Sequence, residues 1–464
     1  MVFSSLVFLL LFLPAVILCY YILPGTWARN AVLCLFSLVF YAWGEPVYLF
    51  LMLSLILINY LLALEMDAKA SRPRKKALLL LSLCCNLGTI GFFKYGNFVL
   101  SNLGALFHTQ MPVIGLRLPI GISFFTFQIM SYVIDVYRGE VPPQRSLLKL
   151  ATYISLFPQL VAGPIVRYQT VAEEIDSRTE SLPLFARGLQ RFVIGLSKKV
   201  IFANAMAMLA DTVFDAAPLP AGGILWLGAL AYMLQIYYDF SGYSDMAIGM
   251  GWMFGFHFLE NFNYPYIADS VTDFWRRWHI SLSSWFRDYV YIPLGGSRKG
   301  QWKTVRNLLI VWLLTGIWHG ASWNFVLWGL YYFIFLIAEK LIGKKRLERI
   351  PSLIRHVCLL LVVLLGWIIF RVEDLGAMGT AFAGLFQFRG QTIGFLLSHH
   401  DALYPLYLLL PACVGCLPLA GWLKEKCPEK FQLHARIVLS ILLFFLCIAL
   451  LLGATYNPFI YFRF

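Results

Sequence analysis

Apolar runs close to 20 residues long recur along this 464-residue chain. A run of about 20 residues can cross a bilayer as a helix, whereas a strand of a membrane barrel needs only about 10. Lipid offers no hydrogen-bond partners, so the backbone must satisfy its own groups, and the sequence therefore predicts an all-α membrane bundle. The predicted spans cover residues 1–23, 30–43, 47–64, 77–99, 118–136, 188–210, 222–238, 306–322, 324–341, 354–370, 403–422 and 434–453.

Some of these runs are too short to cross a bilayer alone, including 30–43 and the pieces around 150–162 and 245–258. Short apolar runs of this kind are candidates for re-entrant or buried half-helices. We expect about 11–13 membrane segments in total at about 20 residues per span. Since the first run has neither a basic n-region nor a small-residue cleavage site, we interpret it as a retained span and not as a signal peptide.

The composition agrees with this class of protein. Hydrophobic residues make up 60% of the chain and charged residues 13%, against about 25% charged residues in soluble domains. The net charge of +13 comes partly from short basic clusters between apolar runs, at Lys69–Lys76 and Lys344–Arg349. Such clusters follow the positive-inside rule and predict cytoplasmic loops, so we do not expect nucleic-acid binding.

The nine cysteines lie mostly inside apolar runs, where a thiol behaves as a small hydrophobic group. Cys413 and Cys416 form a CxxC pair without a second pair, so we expect no metal or redox site. Polar and aromatic residues interrupt the apolar pattern mainly over 119–330. We interpret the chain as one membrane domain, 1–464, with 119–330 as its functional core and 1–118 and 331–464 as flanking helices.

His319 is the first candidate for chemistry, because it is the only ionisable residue between Leu313 and Trp328. A structural histidine is the alternative, but an imidazole at membrane depth needs a partner or a cavity. Desolvation favours the neutral ring, whose free nitrogen suits proton removal from an alcohol. Gly316 and Gly320 would let a neighbouring backbone or an extended ligand approach His319 closely.

His279 is the second candidate, in the Trp- and Arg-rich stretch Thr272–Tyr291. We predict one helix here, with an aromatic stripe, lying at or dipping from the membrane interface. The functional interpretation is that Arg276 and Arg277 hold the anionic phosphate of an acyl donor while His279 faces the interior, with Trp278 as a further donor-binding residue. The alternative is that the stretch is a headgroup anchor.

Further polar residues lie in otherwise apolar segments. Asp239 and Asp245 stand between hydroxyl groups in 237–245, and Asn324 follows His319 in the same stretch. Residues 118–128, with Tyr132, have a similar polar and aromatic character. We expect these residues to line or brace a cavity that binds substrate or donor.

At these residues the sequence resembles the membrane-bound O-acyltransferase superfamily, and within it the bacterial branch typified by alginate O-acetylation. Teichoic-acid D-alanylation is the neighbouring branch. In that resemblance, His319 matches the family's nearly universal catalytic histidine and His279 its second histidine. The matching stretches are 39–43, 119–128, 131–139, 157–167, 238–249, 261–266, 273–296 and 314–329.

The resemblance implies a multi-pass bundle around a transmembrane tunnel, in a bacterial cytoplasmic membrane. It implies that His319 acts as a general base in the transfer of an acyl group, expected to be acetyl, to hydroxyls of a cell-surface or secreted polysaccharide. The donor would be acetyl-CoA or an acyl carrier protein thioester, with no permanently bound cofactor, and an extracytoplasmic partner protein would complete the transfer.

Other functions remain open at this point. The enzymatic alternatives are D-alanyl transfer to teichoic acid and the acylation of a protein or lipid. The non-enzymatic alternative is a transporter or flippase that uses Asp239, Asp245 and His319 as relay groups. The sequence has no visible internal repeat, which disfavours a transporter built from inverted halves.

The chain ends in Asn457–Phe464, with Tyr461 three residues from the carboxylate. The D-alanylation branch uses a separate small peptide with a similar aromatic ending, which implies that Tyr461 could relay the acyl group in cis. The alternative is an aromatic belt at the membrane interface.

Overall fold

The computed structural model of the chain describes residues 1–67, 70–388, 392–400, 404–419 and 429–453. Those residues contain no β-strand, so the predicted all-α fold is confirmed. The helices are α1 (Phe8–Ile22), α2 (Thr26–Ala42), α3 (Tyr48–Glu65), α4 (Arg72–Phe107), α5 (Ile122–Arg138), α6 (Leu147–Ser155), α7 (Phe157–Leu160), α8 (Tyr168–Asp176), α9 (Leu182–Phe214), α10 (Gly223–Met253), α11 (Val271–Arg277), α12 (Ile280–Phe286), α13 (Gln301–His319), α14 (Trp323–Ile342), α15 (Lys344–Leu347), α16 (Ser352–Arg371), α17 (Leu375–Leu385), α18 (Thr392–Ser398), α19 (Leu406–Gly415) and α20 (Glu429–Gly453).

Several of these helices can cross a membrane. Within the described residues, six are long and apolar enough, namely α3, α4, α9, α14, α16 and the last 20 residues of α20. The helices α1, α2, α17 and α19 are apolar but shorter. Three predicted spans form α5, α10 and α13, which are not among the six, because α5 has 17 residues and the other two carry more polar side chains. The chain is a polytopic membrane protein, and the total of 11–13 segments stays a prediction.

The chain forms two compact units, and the division falls within α9 and α10. The first unit comprises residues 1–192 and 244–259, and the second comprises 193–243 and 260–464. Aromatic side chains fill the interior of the first unit. The rings of Phe12 and Phe40 lie 5.4 Å and 5.8 Å from that of Phe157.

Polar side chains join α3 to α4 within the first unit. The amide oxygen of Asn59 accepts hydrogen bonds from Ser82 Oγ at 2.5 Å and Asn86 Nδ2 at 2.9 Å. All three side chains are fully buried. Hydrogen bonds between apolar helices are worth about 1 kcal/mol each, so this cluster fixes the register of two spans whose apolar side chains alone would permit sliding.

Tryptophan and tyrosine form the interior of the second unit. The ring of Trp275 lies 4.9 Å from that of Trp312, 5.4 Å from Trp328 and 4.8 Å from Tyr332. These rings come from α11, α13 and α14 and pack edge to face. Each such pair stabilises by about 0.5–1.5 kcal/mol beyond the area that it buries. The predicted functional core therefore has a rigid aromatic framework.

Two glycines let α13 and α14 approach backbone to backbone. A β-carbon at Gly316 would collide with the carbonyl oxygen of Phe325, and one at Gly329 would collide with that of Trp312. Small residues at such crossings allow dispersion contacts between helices that larger side chains would prevent. The crossing fixes the end of α13, where His319 lies.

We expect Gly316→Ala to lower the apparent melting temperature of the detergent-solubilised protein, because overpacking of this kind costs about 1–3 kcal/mol. Gly88→Ala, within α4, is the matched control, since a β-carbon there meets no atom within 4 Å. Thermal unfolding of both variants provides the measurement. Equal melting temperatures for the two variants would contradict the close approach of α13 and α14.

Candidate active site

His319 is the last residue of α13, and its side chain is buried among aromatic rings. The ring centroids of Trp318 and Trp328 each lie 5.0 Å from that of the imidazole, and Phe370 lies 5.2 Å away. This aromatic enclosure separates the imidazole from bulk solvent. Electrostatic interactions with a reacting group are stronger in such an environment than in water.

The glycines beside His319 serve helix packing. Gly316 faces the backbone of Phe325, and a β-carbon at Gly320 would collide with the Phe325 ring. The sequence allowed either a neighbouring backbone or an extended ligand to fill this space, and the structure contains the neighbouring helix α14. A substrate must therefore reach His319 from another direction.

The single helix predicted over 272–291 is wrong. Helix α11 ends at Arg277, and α12 begins at Ile280 after a break at Trp278 and His279. His279 has a left-handed backbone with φ +45°, which costs about 1–3 kcal/mol in a residue other than glycine.

Backbone pairing with a distant segment explains this break. The Ile280 N–H donates to the Asn261 carbonyl at 3.0 Å, and the Asn263 N–H donates to the Arg277 carbonyl at 2.9 Å. These bonds satisfy backbone groups that a continuous helix would otherwise have paired. The break turns His279 out of the helical path and beside Asn261.

The side chain of Asn261 determines which nitrogen of His279 carries the proton. Asn261 Oδ1 lies 3.1 Å from His279 Nδ1 and accepts from Ser281 N at 3.2 Å and Ser281 Oγ at 2.9 Å. Because this oxygen accepts, Nδ1 must donate, and the lone pair of a neutral ring lies on Nε2.

That Nε2 atom is buried and has no hydrogen-bond partner among the described residues. His279 lies outside the six candidate spans. Burial, and secondly the charge of a protonated His319, lowers the pKa of His279 well below its usual value. The imidazole is therefore a neutral base at physiological pH, with its lone pair available to a ligand.

Trp318 connects the two histidines. Its ring lies 6.0 Å from that of His279 and 5.0 Å from that of His319. The ring of Phe240 lies edge-on to that of His279, with 4.5 Å between the ring centroids. Helices α10 and α13 and the break between α11 and α12 thus bring together the two histidines that the sequence predicted as catalytic, and their catalytic roles stay predictions.

The predicted phosphate-binding residues have different surroundings. Arg277 Nε pairs with Asp273 at 2.7 Å, and Trp278 is buried. Arg276 is exposed and lines a cavity whose lining includes neither histidine. A role for these residues in donor binding stays a prediction.

The remaining predicted site residues, Asp239, Asp245 and Asn324, do not lie together at one site. Asp239 forms a buried ion pair with Lys199 in the second unit, whereas Asp245 pairs with Arg191 in the first unit. Asn324 Nδ2 donates to the carbonyls of Ile369 at 3.3 Å and Phe370 at 3.1 Å. Asn324 therefore braces the ring that encloses His319.

Tyr461 lies outside the described residues, so its proposed relay role stays a prediction.

Sequence reasoning did not identify Asn261, Lys199 or Phe370 as site residues. Lys199 could have been identified from the sequence, since a cation within an apolar helix requires a partner. Asn261 lies in one of the stretches that carried the family resemblance, but nothing local marks its contact with His279. Phe370 is one of 39 phenylalanines in the chain, and only the fold places it beside His319.

The apolar helices define an integral membrane protein, and its two predicted catalytic histidines are buried among aromatic rings. The chain matches the model of the membrane-bound O-acyltransferase family over residues 121–368 and belongs to this family. The match contains the predicted core from residue 121 to 330, with both histidines. The chain is therefore a membrane-bound O-acyltransferase.

Several individual proteins of known name are similar to this chain. The chain is 40% identical to a probable alginate O-acetylase of Azotobacter vinelandii, with 100% of each chain covered. It is 35% identical to a peptidoglycan O-acetyltransferase of Helicobacter pylori, over 85% of this chain and 81% of the relative. A teichoic acid D-alanyltransferase of Bacillus subtilis is 31% identical over 50% of this chain and 62% of its own.

We expect Asn261→Ala to lower acyl transfer roughly 10- to 100-fold, because a lost hydrogen bond of about 1–3 kcal/mol frees the tautomer of His279. In Asn261→Asp, a carboxylate beside Nδ1 favours the protonated imidazole and raises its pKa. The acidic limb of the pH profile should therefore move to higher pH. The measurement is acyl transfer by membranes carrying each variant at several pH values.

Asn263→Ala is the matched control, since Asn263 lies two residues away with an exposed side chain. It should retain the pH profile of the original chain. An Asn261→Asp profile that does not move would show that Asn261 has only a structural role.

Proposed function

We propose that this chain transfers an acetyl group from a cytoplasmic thioester to a hydroxyl of a cell-surface or secreted polysaccharide. The observation that carries the proposal is the pair of buried histidines around Trp318. The relatives named for O-acetylation of alginate and of peptidoglycan support both the acetyl group and the polymeric acceptor.

In the proposed reaction His319 acts as the general base. It removes the proton from the acceptor hydroxyl as the oxygen attacks the thioester carbonyl carbon. The tetrahedral intermediate then expels the thiolate, which takes the proton from the imidazolium, so that the products are an ester and a thiol. General base catalysis of this kind contributes about 10²–10⁴-fold to the rate.

His279 has a complementary role in this proposal. Its Nε2 offers a lone pair but no proton, because Asn261 holds the proton on Nδ1. It can therefore accept a hydrogen bond from a donor group of the acceptor and orient the acceptor hydroxyl towards His319. Orientation of this kind lowers the activation free energy of acyl transfer, because the acceptor loses its rotational freedom on binding and not in the chemical step.

The aromatic enclosure supports this chemistry because a thioester is also open to attack by water. Trp318, Trp328 and Phe370 surround His319 with apolar surface. Exclusion of water from a closed site suppresses hydrolysis and strengthens the electrostatic interactions within it.

The remaining parts of the proposal concern the cellular setting. The chain would lie in a bacterial cytoplasmic membrane as a multi-pass protein with a transmembrane tunnel. Acetyl-CoA or an acyl carrier protein would present the thioester from the cytoplasm, and an extracytoplasmic partner would complete transfer to the polymer. Delivery through the protein would spare the cell from exporting the donor.

We expect His319→Gln to abolish acetylation of the surface polymer, with a loss of at least about 100-fold from general base catalysis. His279→Gln should retain partial activity, since in our proposal it orients the acceptor. The measurement is mass spectrometry of the groups released from the polymer by mild base, together with the amount of each variant in the membrane.

His257→Gln is the control, because His257 is exposed and pairs with Glu174 within the first unit. It should acetylate normally. Substantial acetylation by membrane-inserted His319→Gln would contradict the proposed role of His319 as the general base. Release of D-alanine in place of acetate would favour the teichoic-acid reaction.

A further inference from the structure

A cavity lies within the second unit, and its lining includes neither histidine. Its volume is about 1050 Å³, and it is bordered by the end of α14, the short helix α15, the start of α16 and the start of α11. Two of its walls belong to α14 and α16, which are long and apolar enough to cross a membrane. Its apolar lining includes Phe335, Leu336, Leu347, Ile354, Leu359 and Val362.

The cavity also carries charge, and most of its carboxylates are already engaged. Asp269 pairs with Arg355 at 2.6 Å, and Glu348 lies 3.6 Å from Lys344. Glu339 accepts hydrogen bonds from the N–H of Thr272 at 2.9 Å and from its hydroxyl at 2.7 Å.

The fourth carboxylate, Asp273, pairs with Arg277. Two cations in the lining, Arg276 and Lys340, form no ion pair with any residue that the structure describes. Both side chains are exposed. The cavity therefore combines apolar walls with two cations available to an anion.

We propose that this cavity binds an anionic phospholipid, with the phosphate on Arg276 and Lys340 and an acyl chain against the walls formed by α14 and α16. A guanidinium and an ammonium group together suit a phosphate, the first by paired hydrogen bonds and the second as a point charge. Basic pockets between transmembrane helices on the cytoplasmic side are typical binding sites for anionic lipid headgroups.

The position of the cavity favours a lipid over a soluble phosphate compound. The adjoining segment Lys344–Arg349 is the basic cluster that the positive-inside rule predicts to be cytoplasmic. Ile354, on the cavity wall, and its neighbour Leu353 are exposed, so apolar surface continues outward from the lining. A ligand with an anionic head and an apolar chain matches both the cations and the apolar walls of the cavity. A nucleotide would leave the apolar walls uncovered.

The experiment uses the purified full chain in a neutral detergent, with dioleoylphosphatidylglycerol as the probe and dioleoylphosphatidylcholine as its zwitterionic counterpart. Native mass spectrometry measures the retained lipid. We expect preferential retention of phosphatidylglycerol and a loss of roughly 10- to 30-fold in its affinity in Arg276→Gln/Lys340→Gln, at about 1 kcal/mol for each cation.

Lys345→Gln/Arg349→Gln is the matched control, because it removes the same charge from the adjoining basic cluster, at residues outside the cavity lining. It should retain phosphatidylglycerol as the original chain does. Without lipid, both double variants should melt at the temperature of the original chain, since all four side chains are exposed.

Three results would overturn the proposal. The first is equal retention of the two lipids, and the second is equal loss of phosphatidylglycerol in both double variants, which would indicate attraction by general surface charge. The third is displacement of phosphatidylglycerol by acetyl-CoA, which would assign the cations to the donor. Lipid binding is measured without catalysis, so its failure is distinct from failure of the proposed acetyl transfer.

Discussion

Lys199 and Asp239 form an ion pair of 2.7 Å with side chains 3% and 2% exposed. An ion buried alone would cost several kcal/mol, so each side chain requires the other, and the pair fixes α9 against α10. Asp239 precedes Phe240, whose ring contacts His279. The position of one wall of the site therefore depends on this ion pair. The same demand for partners explains the Asn59 cluster, which joins two spans through buried hydrogen bonds.

His279 is an exception among these buried polar side chains, because one of its ring nitrogens is unpaired within the part of the chain that the structure describes. Its Nδ1 is paired with Asn261, but its buried Nε2 has no partner among the described residues, and its backbone is left-handed. An unsatisfied buried acceptor costs about 1–3 kcal/mol, and the backbone conformation adds about as much. Strained and unsatisfied groups persist where function requires them. A ligand that donates a hydrogen bond to Nε2 would recover part of this free energy, and the acceptor hydroxyls in our proposal are such donors.

Several features were predictable from the sequence because their causes are local. Apolar runs of about 20 residues predicted the membrane helices. The position of His319 as the only ionisable residue in an uncharged stretch singled it out as a candidate site residue. The break at His279 was not predictable, since the aromatic stripe continues through it with helical period. Its cause is hydrogen bonding to Asn261 and Asn263, about 15 to 20 residues earlier in the chain. The space beside Gly316 was ambiguous for the same reason, because a glycine admits a helix or a ligand equally well.

Helix α11 connects the two sites of the second unit. Its seven residues span about 10 Å. The N–H groups at its start donate to Glu339 on α14, and the carbonyl of Arg277 at its end accepts from Asn263. Because hydrogen bonds hold both ends of this short helix, a shift at the cavity rim would also move the backbone beside His279. If α11 can adopt a second position, a bound lipid can favour that position only by the difference between its binding free energies to the two positions. The coupling between the sites can be no larger than this difference. A lipid that contacts Arg276 and Lys340 therefore has a physical route to the orientation of His279 without touching it.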